Sequence, residues 1–159
     1  MDAKLARICG AVALFVGLLY LLLLWQPARQ VRLHQAHFLG AMEKKDAKRL
    51  SEFISDKYSD RWGHDKEFVI RESREIFGHF IACRLQQEER YLERQGQEAT
   101  VGAQIILTGT GSPIADYAKQ RIGELTEPFV FRWERQSWKP WDWQLVSVNQ
   151  PQLDISIPN

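Results

Sequence analysis

The sequence predicts an α+β domain behind one apolar transmembrane helix, and three observations support this prediction. Eighteen residues from Ile8 to Trp25 carry no charge. Hydrophobic residues then recur with helical spacing between residues 28 and 80. From residue 99 onward they mostly alternate with polar residues, as in strands with one buried face. Helices followed by a run of strands indicate about three helices packed on a bent antiparallel sheet.

The uncharged segment has the length of a membrane anchor. A helix of eighteen residues is about 27 Å long, close to the thickness of the hydrocarbon core of a bilayer. Trp25 and Arg29 follow at the positions of interfacial residues. We therefore predict a retained transmembrane anchor over residues 1–27 and one domain over residues 28–159. The alternative is a cleaved signal peptide, but the segment exceeds the usual length of about 7–15 residues and its exit offers no small-x-small cleavage site.

The orientation of the anchor follows less directly from the charges. Lys4 and Arg7 precede the apolar segment, and Arg29 and Arg32 follow it. Because the basic residues on the two sides are nearly balanced, the positive-inside rule gives little indication of the orientation. A short N-terminal tail before a long domain is typical of a signal-anchor. We therefore expect a single-pass protein with its domain on the non-cytoplasmic side of the membrane.

The composition of the chain excludes some classes of function. From Gln26 onward Lys and Arg number 19 and Asp and Glu number 19, so the predicted domain is neutral. A neutral domain lacks the positive charge with which proteins bind phosphates, and we predict no nucleic-acid partner. No spacing of His, Asp and Glu indicates a metal site, and no cofactor is predicted. Cys83 has no base near it in sequence and is interpreted as a small buried hydrophobe.

Three helices are expected before the strands. The segment 28–44 has helical spacing and follows a break at Pro27, since proline restarts or kinks a helix. Asp46 is a candidate N-cap for a second short helix. Asp65 is a candidate N-cap for a third helix that ends near Phe80.

Four strands are expected after the helices. Their alternation places Trp133 and Trp143 on the inward phase, and the last strand is expected to begin at Trp141. Between the second and third strands, the segment Gly109–Pro128 contains apolar residues with helical spacing, so we expect a short helix or lid there. Thr108–Gly111 is interpreted as a turn. The strands are predicted at residues 83–94, 99–107, 129–134 and 141–148.

This order of elements over residues 30–150 resembles the nuclear-transport-factor-2-like superfamily, also called SnoaL-like or cystatin-like cones. The resemblance includes Ala41–Leu50 as the turn between the first helices, then Phe53–Tyr58, a third helix and a curved sheet that ends in Trp141–Val148. It implies a cone-shaped cavity between the sheet and the helices. In this superfamily the cavity serves enzymes, small-molecule binders and noncatalytic assembly domains, so the fold does not fix the function.

The resemblance implies that side chains on the inner faces line the cavity. We expect Phe38, Tyr58, His79, Trp133 and Trp143 among them.

His64 and Asp65 are the candidate catalytic residues. An imidazole titrates near neutral pH, and a neighbouring carboxylate could stabilise its charge. The alternative is that Asp65 only caps a helix and that His64 only packs on Trp62.

These observations predict a membrane-anchored, noncatalytic binding or assembly domain. Its partner would be another protein, a second copy of the chain or an apolar ligand. The alternative is a small isomerase, dehydratase or hydrolase that uses the cone. A buried carboxyl or imidazole in the cavity would favour the enzyme.

Overall fold

The computed structural model describes residues 3–153, with the side chains of residues 9–22 and 25–153. This part of the chain forms five helices and one antiparallel sheet with the strand order β1-β2-β3-β4, which is the predicted α+β class. Helix α5 lies between β2 and β3 in the chain. The elements are α1 Ala3–Leu24, α2 Pro27–Glu43, α3 Ala47–Phe53, α4 Lys66–Gly78, β1 Phe80–Gln95, β2 Glu98–Gly111, α5 Pro113–Gly123, β3 Phe129–Arg135 and β4 Trp143–Asn149.

The N-terminal apolar segment forms α1, and its large side chains from Val12 to Leu22 are exposed. Among the described residues, no single helix has both the length and the apolar composition to cross a membrane on its own. The segments Cys9–Leu22 and Pro27–Glu43, bent by 68° at the break between them, meet both criteria only as a pair. The side chains of Lys4 and Arg7 lie outside the described residues, so the orientation stays a prediction.

The two predicted helix caps are confirmed. The carboxylate of Asp46 accepts a hydrogen bond from the backbone N–H of Arg49 at 3.0 Å, and α3 begins after it. The carboxylate of Asp65 accepts one from Phe68 N–H at 2.8 Å at the start of α4. Each bond satisfies a backbone donor that the first turn of a helix leaves free.

The sheet is bent by irregularities in its ladders. The β1–β2 register shifts between Phe80 and Ala82 and again between Glu89 and Tyr91. An extra residue on one strand bends that strand and increases its twist. Beside the second shift, the ring of Tyr91 covers Gly102, where any Cβ would collide with it. The bent sheet therefore curves around the helices, as a cone requires.

The predicted turn at Thr108–Gly111 is wrong, because these residues belong to β2. A Cβ at Gly109 would collide with the carbonyl of Ala82, and one at Gly111 would collide with the carbonyl of His79. Gly109 also has φ 148°, which other residues rarely adopt. The two glycines permit close approach of β1 to β2. The helix expected in the following connection is α5.

The inward phase of Trp133 and Trp143 is confirmed, but the predicted start of the last strand at Trp141 is wrong. Trp133 and Trp143 are buried in the main core. The indole of Trp133 donates to Gln35 Oε1 at 2.8 Å, and that of Trp143 donates to Pro140 O at 2.9 Å. Trp141 is exposed because β4 begins only at Trp143. Pro140 and its neighbours form a loop rather than the start of the strand, so the alternation does not extend to Trp141.

We expect Trp143→Ala to lower the free energy of unfolding by about 3–5 kcal/mol, because it leaves a large cavity in the core. The matched control is Tyr117→Ala, since Tyr117 of α5 is 63% exposed and its loss should change stability by at most about 0.5 kcal/mol. Urea unfolding of the full chain in phospholipid discs, followed by near-ultraviolet circular dichroism, measures both. Equal effects of the two substitutions would contradict the burial of Trp143.

Candidate functional site

A cavity of about 260 Å³ lies between the helices and the inner face of the sheet. Its wall is built mainly from apolar side chains of α2, α4 and all four strands. Examples are Phe38 and Met42 on α2, Val69 on α4, Ile105 on β2 and Phe131 on β3. The polar part of the wall comes chiefly from the segment between α3 and α4, with Glu72 and Ser73 of α4 beside it.

The segment after α3 reaches the cavity because it is attached to β4. Ile54 forms a parallel bridge with Leu145, and Ser55 N–H donates to Leu145 O at 3.0 Å. Ser59 N–H donates to Val146 O at the same distance. These bonds fix the backbone on both sides of Tyr58, whose side chain lines the cavity.

The chain then wraps around the carboxylate of Asp60, of which only 3% is exposed. Its Oδ1 accepts from the backbone N–H groups of Trp62 at 2.9 Å and of His64 at 3.0 Å. Gly63 allows this tight loop, since its φ is 82°. The other carboxylate oxygen, Oδ2, lies 3.0 Å from His64 Nδ1. Asp60 therefore orients both the loop and the imidazole.

The imidazole of His64 is buried on the cavity wall, with 1% of its side chain exposed. It stacks on Phe68 with ring centroids 3.8 Å apart and planes 6° apart. Asp60 Oδ2 can only accept, so Nδ1 carries a proton and the neutral ring has its lone pair at Nε2. Among residues 3–153, Nε2 has no hydrogen-bond partner. The indole Nε1 of Trp62 is buried and equally unpaired within that range.

Tyr58 completes the polar group on the wall. Its hydroxyl oxygen accepts from Val148 N–H at 3.2 Å. Burial raises the pKa of the Tyr58 hydroxyl, and the negative charge of Asp60 raises it further. The phenol therefore stays protonated at neutral pH and keeps its ability to donate. Tyr58, Asp60 and His64 together form what we call the polar cluster.

The chemistry available to the polar cluster follows from this arrangement. An imidazole held by a carboxylate at Nδ1, with Nε2 unpaired, can accept a hydrogen bond or a proton from a bound molecule. A proton taken at Nε2 would create a cation whose Nδ1–H faces the Asp60 carboxylate at 3.0 Å. The site can therefore bind a polar group within an apolar cavity and can support proton transfer.

The structure separates the two residues proposed as a catalytic pair. His64 lies on the cavity wall, whereas Asp65 is exposed and its carboxylate caps α4. The partner of His64 is Asp60, which the sequence analysis missed. The signal was present: an aspartate followed by glycine three residues later is typical of a loop that folds around the carboxylate.

Of the five residues expected to line the cavity, two do so and three lie elsewhere. Phe38 and Tyr58 line it. Trp133 and Trp143 lie in the adjoining core and are not part of the wall. His79 follows the last turn of α4 and its Nδ1 lies 3.3 Å from Ser112 Oγ, away from the cavity.

Cys83 is unsuited to nucleophilic chemistry. Burial and the nearby carboxylate of Glu43 raise the pKa of its thiol, so the reactive thiolate is disfavoured.

The fold is similar to that of several small proteins of known structure. One is a protein of the nuclear-transport-factor-2-like (NTF2-like) family from Streptomyces avermitilis, named provisionally as a dehydratase. It is 18% identical, with a TM-score of 0.57 over 77% of this chain and 93% of that one. A Nostoc punctiforme protein of unknown function with a cystatin-like fold is 13% identical, with a TM-score of 0.55 over 78% and 91%. An NTF2-like protein from Cytophaga hutchinsonii is 16% identical, with a TM-score of 0.52 over 76% and 93%.

No model of a protein family matches this sequence, and no curated protein matches it. At these identities the likeness shows the fold, which is the NTF2-like, cystatin-like cone expected from the order of the elements. It leaves the function to be argued from the site.

We expect Asp60→Asn to disturb His64, whereas Asp65→Asn should not. An asparagine at position 60 still offers an oxygen to the backbone donors, but its NH2 group then faces Nδ1 and can only donate, which drives the neutral imidazole to the tautomer with its proton at Nε2. Replacement of the charge-assisted hydrogen bond by a neutral one should lower stability by about 1–2 kcal/mol. Asparagine caps helices as well as aspartate does, so Asp65→Asn is the matched control.

The nitrogen resonances of the His64 imidazole, assigned in the full chain, report the change directly. They should shift in Asp60→Asn and stay in place in Asp65→Asn. The reverse pattern would show that Asp65, not Asp60, is the partner of His64.

Proposed function

We propose that the cone binds a small apolar molecule that carries one polar group, and that the N-terminal apolar segment holds the domain at a membrane. One observation carries the binding proposal: an apolar cavity of about 260 Å³ has a buried imidazole on its wall whose Nε2 is unpaired within the described residues. Buried polar atoms without partners are rare in folded proteins, and each calls for an explanation. A ligand supplies one.

The size and composition of the cavity set the class of ligand. An apolar cavity of about 150 Å³ accommodates benzene, and typical pockets for larger ligands occupy about 300–1,000 Å³. The cavity described here falls between these values. A molecule with one or two rings, or a short branched chain, fits this volume, whereas a peptide segment of a partner protein would be too large. The apolar wall favours a hydrocarbon body.

The polar group of the ligand is constrained by the side chains on the wall. His64 Nε2 is an acceptor in the neutral ring, and the indole N–H of Trp62 is a donor. A hydroxyl group can donate to the first and accept from the second. A carbonyl oxygen can accept from Trp62 or from a protonated His64. Alcohols and ketones are therefore the favoured chemical classes.

The membrane proposal is supported by the surface of α1. Its side chains from Val12 to Leu22 are apolar and exposed, and the aromatic ring of Trp25 follows them. Exposed apolar areas of this extent on a protein surface mark a site of interaction with a membrane or a partner. We propose a single span, with the domain on the non-cytoplasmic side.

A second candidate function is proton transfer by an isomerase or dehydratase. The observation that favours it is the Asp60–His64 pair, because a carboxylate-oriented imidazole is a common general base. The similar Streptomyces protein carries a provisional dehydratase name, which agrees with this class of chemistry. Binding alone needs no charged partner for the imidazole, so the pair is the feature that separates the two candidates.

We expect the full chain in phospholipid discs to bind 2-naphthol saturably and more tightly than naphthalene. A hydrogen bond to the unpaired groups should give a difference of about three- to tenfold in Kd. Equilibrium dialysis measures both probes. Ile105→Trp, which fills the cavity, is the control that reports partition into the discs.

Equal binding of both probes to the wild-type chain and to Ile105→Trp would refute the cavity as a binding site. Binding without preference for the hydroxyl would leave an apolar site in which the polar cluster has no part.

For the catalytic candidate, we expect the chain to accelerate exchange of the α-protons of 1-tetralone with deuterium oxide. Loss of one catalytic base typically costs about 10²–10⁴ in rate. His64→Gln and Asp60→Asn should both lose the acceleration, and Asp65→Asn should keep it. Proton NMR follows the exchange. Rates that equal those of Ile105→Trp would leave the cavity as a binding site without proton transfer.

For the anchor, we expect the full chain to stay with membranes during an alkaline carbonate wash. Replacing Val16 and Leu19 together by lysine should release it, because each central lysine costs about 2.5–3.5 kcal/mol of insertion free energy. Immunoblots of pellet and supernatant measure the distribution. Release of the intact wild-type chain would contradict the proposed anchor.

A further inference from the structure

Two exposed tryptophans, Trp25 and Trp141, meet where α1 ends, and a third, Trp138, lies in the same loop as Trp141. Trp25 is 52% exposed, Trp141 is 50% exposed and Trp138 is 81% exposed. The rings of Trp25 and Trp141 meet edge to face with centroids 6.5 Å apart. Trp25 directly follows α1, and the other two belong to the β3–β4 loop, residues 136–142. The loop therefore contacts the exit of the apolar helix through Trp141, and Trp138 adds a further exposed indole to the same loop.

The β3–β4 loop presents these side chains on an ordered backbone. The N–H of Gln136 donates to Asp142 O at 2.8 Å, and that of Asp142 donates to Lys139 O at 3.3 Å. The indole of Trp143, inside the core, donates to Pro140 O at 2.9 Å. The loop is therefore tied to the core while Trp138 and Trp141 point away from it.

The sheet register places the loop at one end of the domain. Glu98 at the start of β2 pairs with Glu134 near the end of β3, so the β1–β2 turn and the β3–β4 loop share that end. Ile81, 85% exposed, lies near the opposite end of β1. Gln95 lies fourteen positions after Ile81, which is roughly 45 Å along a strand.

We propose that the β3–β4 loop inserts Trp138 and Trp141 into the headgroup region of the phospholipid bilayer that α1 enters. This rests on the proposed membrane anchor. Indole rings combine an apolar body with an N–H donor and concentrate at membrane–water interfaces. Lys139, which lies between them in sequence and is exposed, supplies a cation for lipid phosphates. The contact between Trp25 and Trp141 selects the bilayer over a separate protein partner, because it makes the loop an extension of the helix exit.

The consequence is a domain attached to the membrane at two points. The helix alone would leave the domain free to rotate about the break at Pro27. With the loop inserted, the β3–β4 end of the sheet faces the lipid and the end that carries Ile81 faces water.

A fluorescent label tests this arrangement in the full chain with Cys9→Ala and Cys83→Ala. Gln136→Cys carries the environment-sensitive label NBD in the loop, and Ile81→Cys carries it at the far end. The chains are reconstituted in vesicles of phosphatidylcholine and phosphatidylglycerol. We expect several-fold stronger quenching by doxyl-labelled lipid at position 136 than at position 81, and the opposite order for aqueous iodide. Trp138→Ser with Trp141→Ser should abolish the lipid quenching at position 136 while the chain still floats with the vesicles.

The other outcomes separate this inference from the anchor. Flotation with equal iodide access at both positions would overturn the inserted loop and leave the anchor intact. Protection from iodide without quenching by lipid would indicate that a second copy or another protein covers the loop, which also overturns the inference. Loss of flotation by the wild-type chain would remove the anchor and the insertion together.

Discussion

The contact between Trp133 and α2 is the constraint on which the cone depends. The indole is fully buried, and its N–H donates to Gln35, which lies one turn before Phe38 on the same helix. Phe38 meets the Trp133 ring edge-on at 6.1 Å and the Phe131 ring at 6.4 Å. Aromatic pairs in this geometry add directional attraction to the burial of area. They fix α2 across β3, and Phe38 and Phe131 consequently stand on the same wall of the cavity.

Burial of a carboxylate next to an otherwise apolar cavity destabilises the fold, because the charge loses its hydration. Hydrogen bonds from two backbone N–H groups and from the imidazole of His64 offset part of this desolvation free energy for Asp60. Apolar residues of the same volume would close the wall without this cost, since buried ion pairs rarely add stability over well-packed hydrophobic groups. The buried Nε2 of His64, which has no hydrogen-bond partner among residues 3–153, lowers the stability of the fold further, because packing does not replace the lost hydrogen bond to water. Costs of this kind concentrate at functional sites, which is why the polar cluster and not the volume of the cavity carries the functional argument.

Elements that depend on local chemistry could be read from the sequence. The caps at Asp46 and Asp65 are decided within one turn of helix, and the burial of Trp133 follows from alternation within one strand. The start of β4 and the set of residues that line the cavity depend on the bend of the sheet and could not be predicted from the sequence. The alternation of Trp141 with Trp143 is regular in sequence, yet Pro140 places Trp141 outside β4. Trp143 lies on the inner face of the sheet, but it packs in the core and does not line the cavity. Alternation along a strand identifies the inner face, whereas the curvature of the sheet decides which residues of that face reach the cavity.

The sequence predicted only one member of the Asp60–His64 pair, His64, for a related reason. Sequence adjacency favoured Asp65 as the partner of His64, but successive residues at the start of a helix point in different directions. Asp65 is taken up by the backbone of α4. Asp60 reaches the imidazole because Gly63 turns the chain back on itself and because pairing with β4 holds the preceding segment in place. That attachment is a long-range contact, which no pattern in residues 58–65 reveals.

Helix α2 connects the proposed anchor to the cavity without passing the motion of the anchor to the cavity wall. Its first residue, Pro27, follows the exit of α1, and its Phe38, Leu39 and Met42 line the cavity. Between these ends Arg32 forms a bidentate ion pair with Glu89 of β1, with N–O distances of 2.8 and 2.7 Å. Paired forks of this geometry resist rotation better than single contacts do. A change in the angle between α1 and α2 must therefore be absorbed at the break before Pro27, since α2 is held against β1 by Arg32 and against β3 by Gln35. The cavity can then keep its shape when that angle changes, and the contact of Trp141 with Trp25 together with the proposed insertion of the β3–β4 loop limits the change.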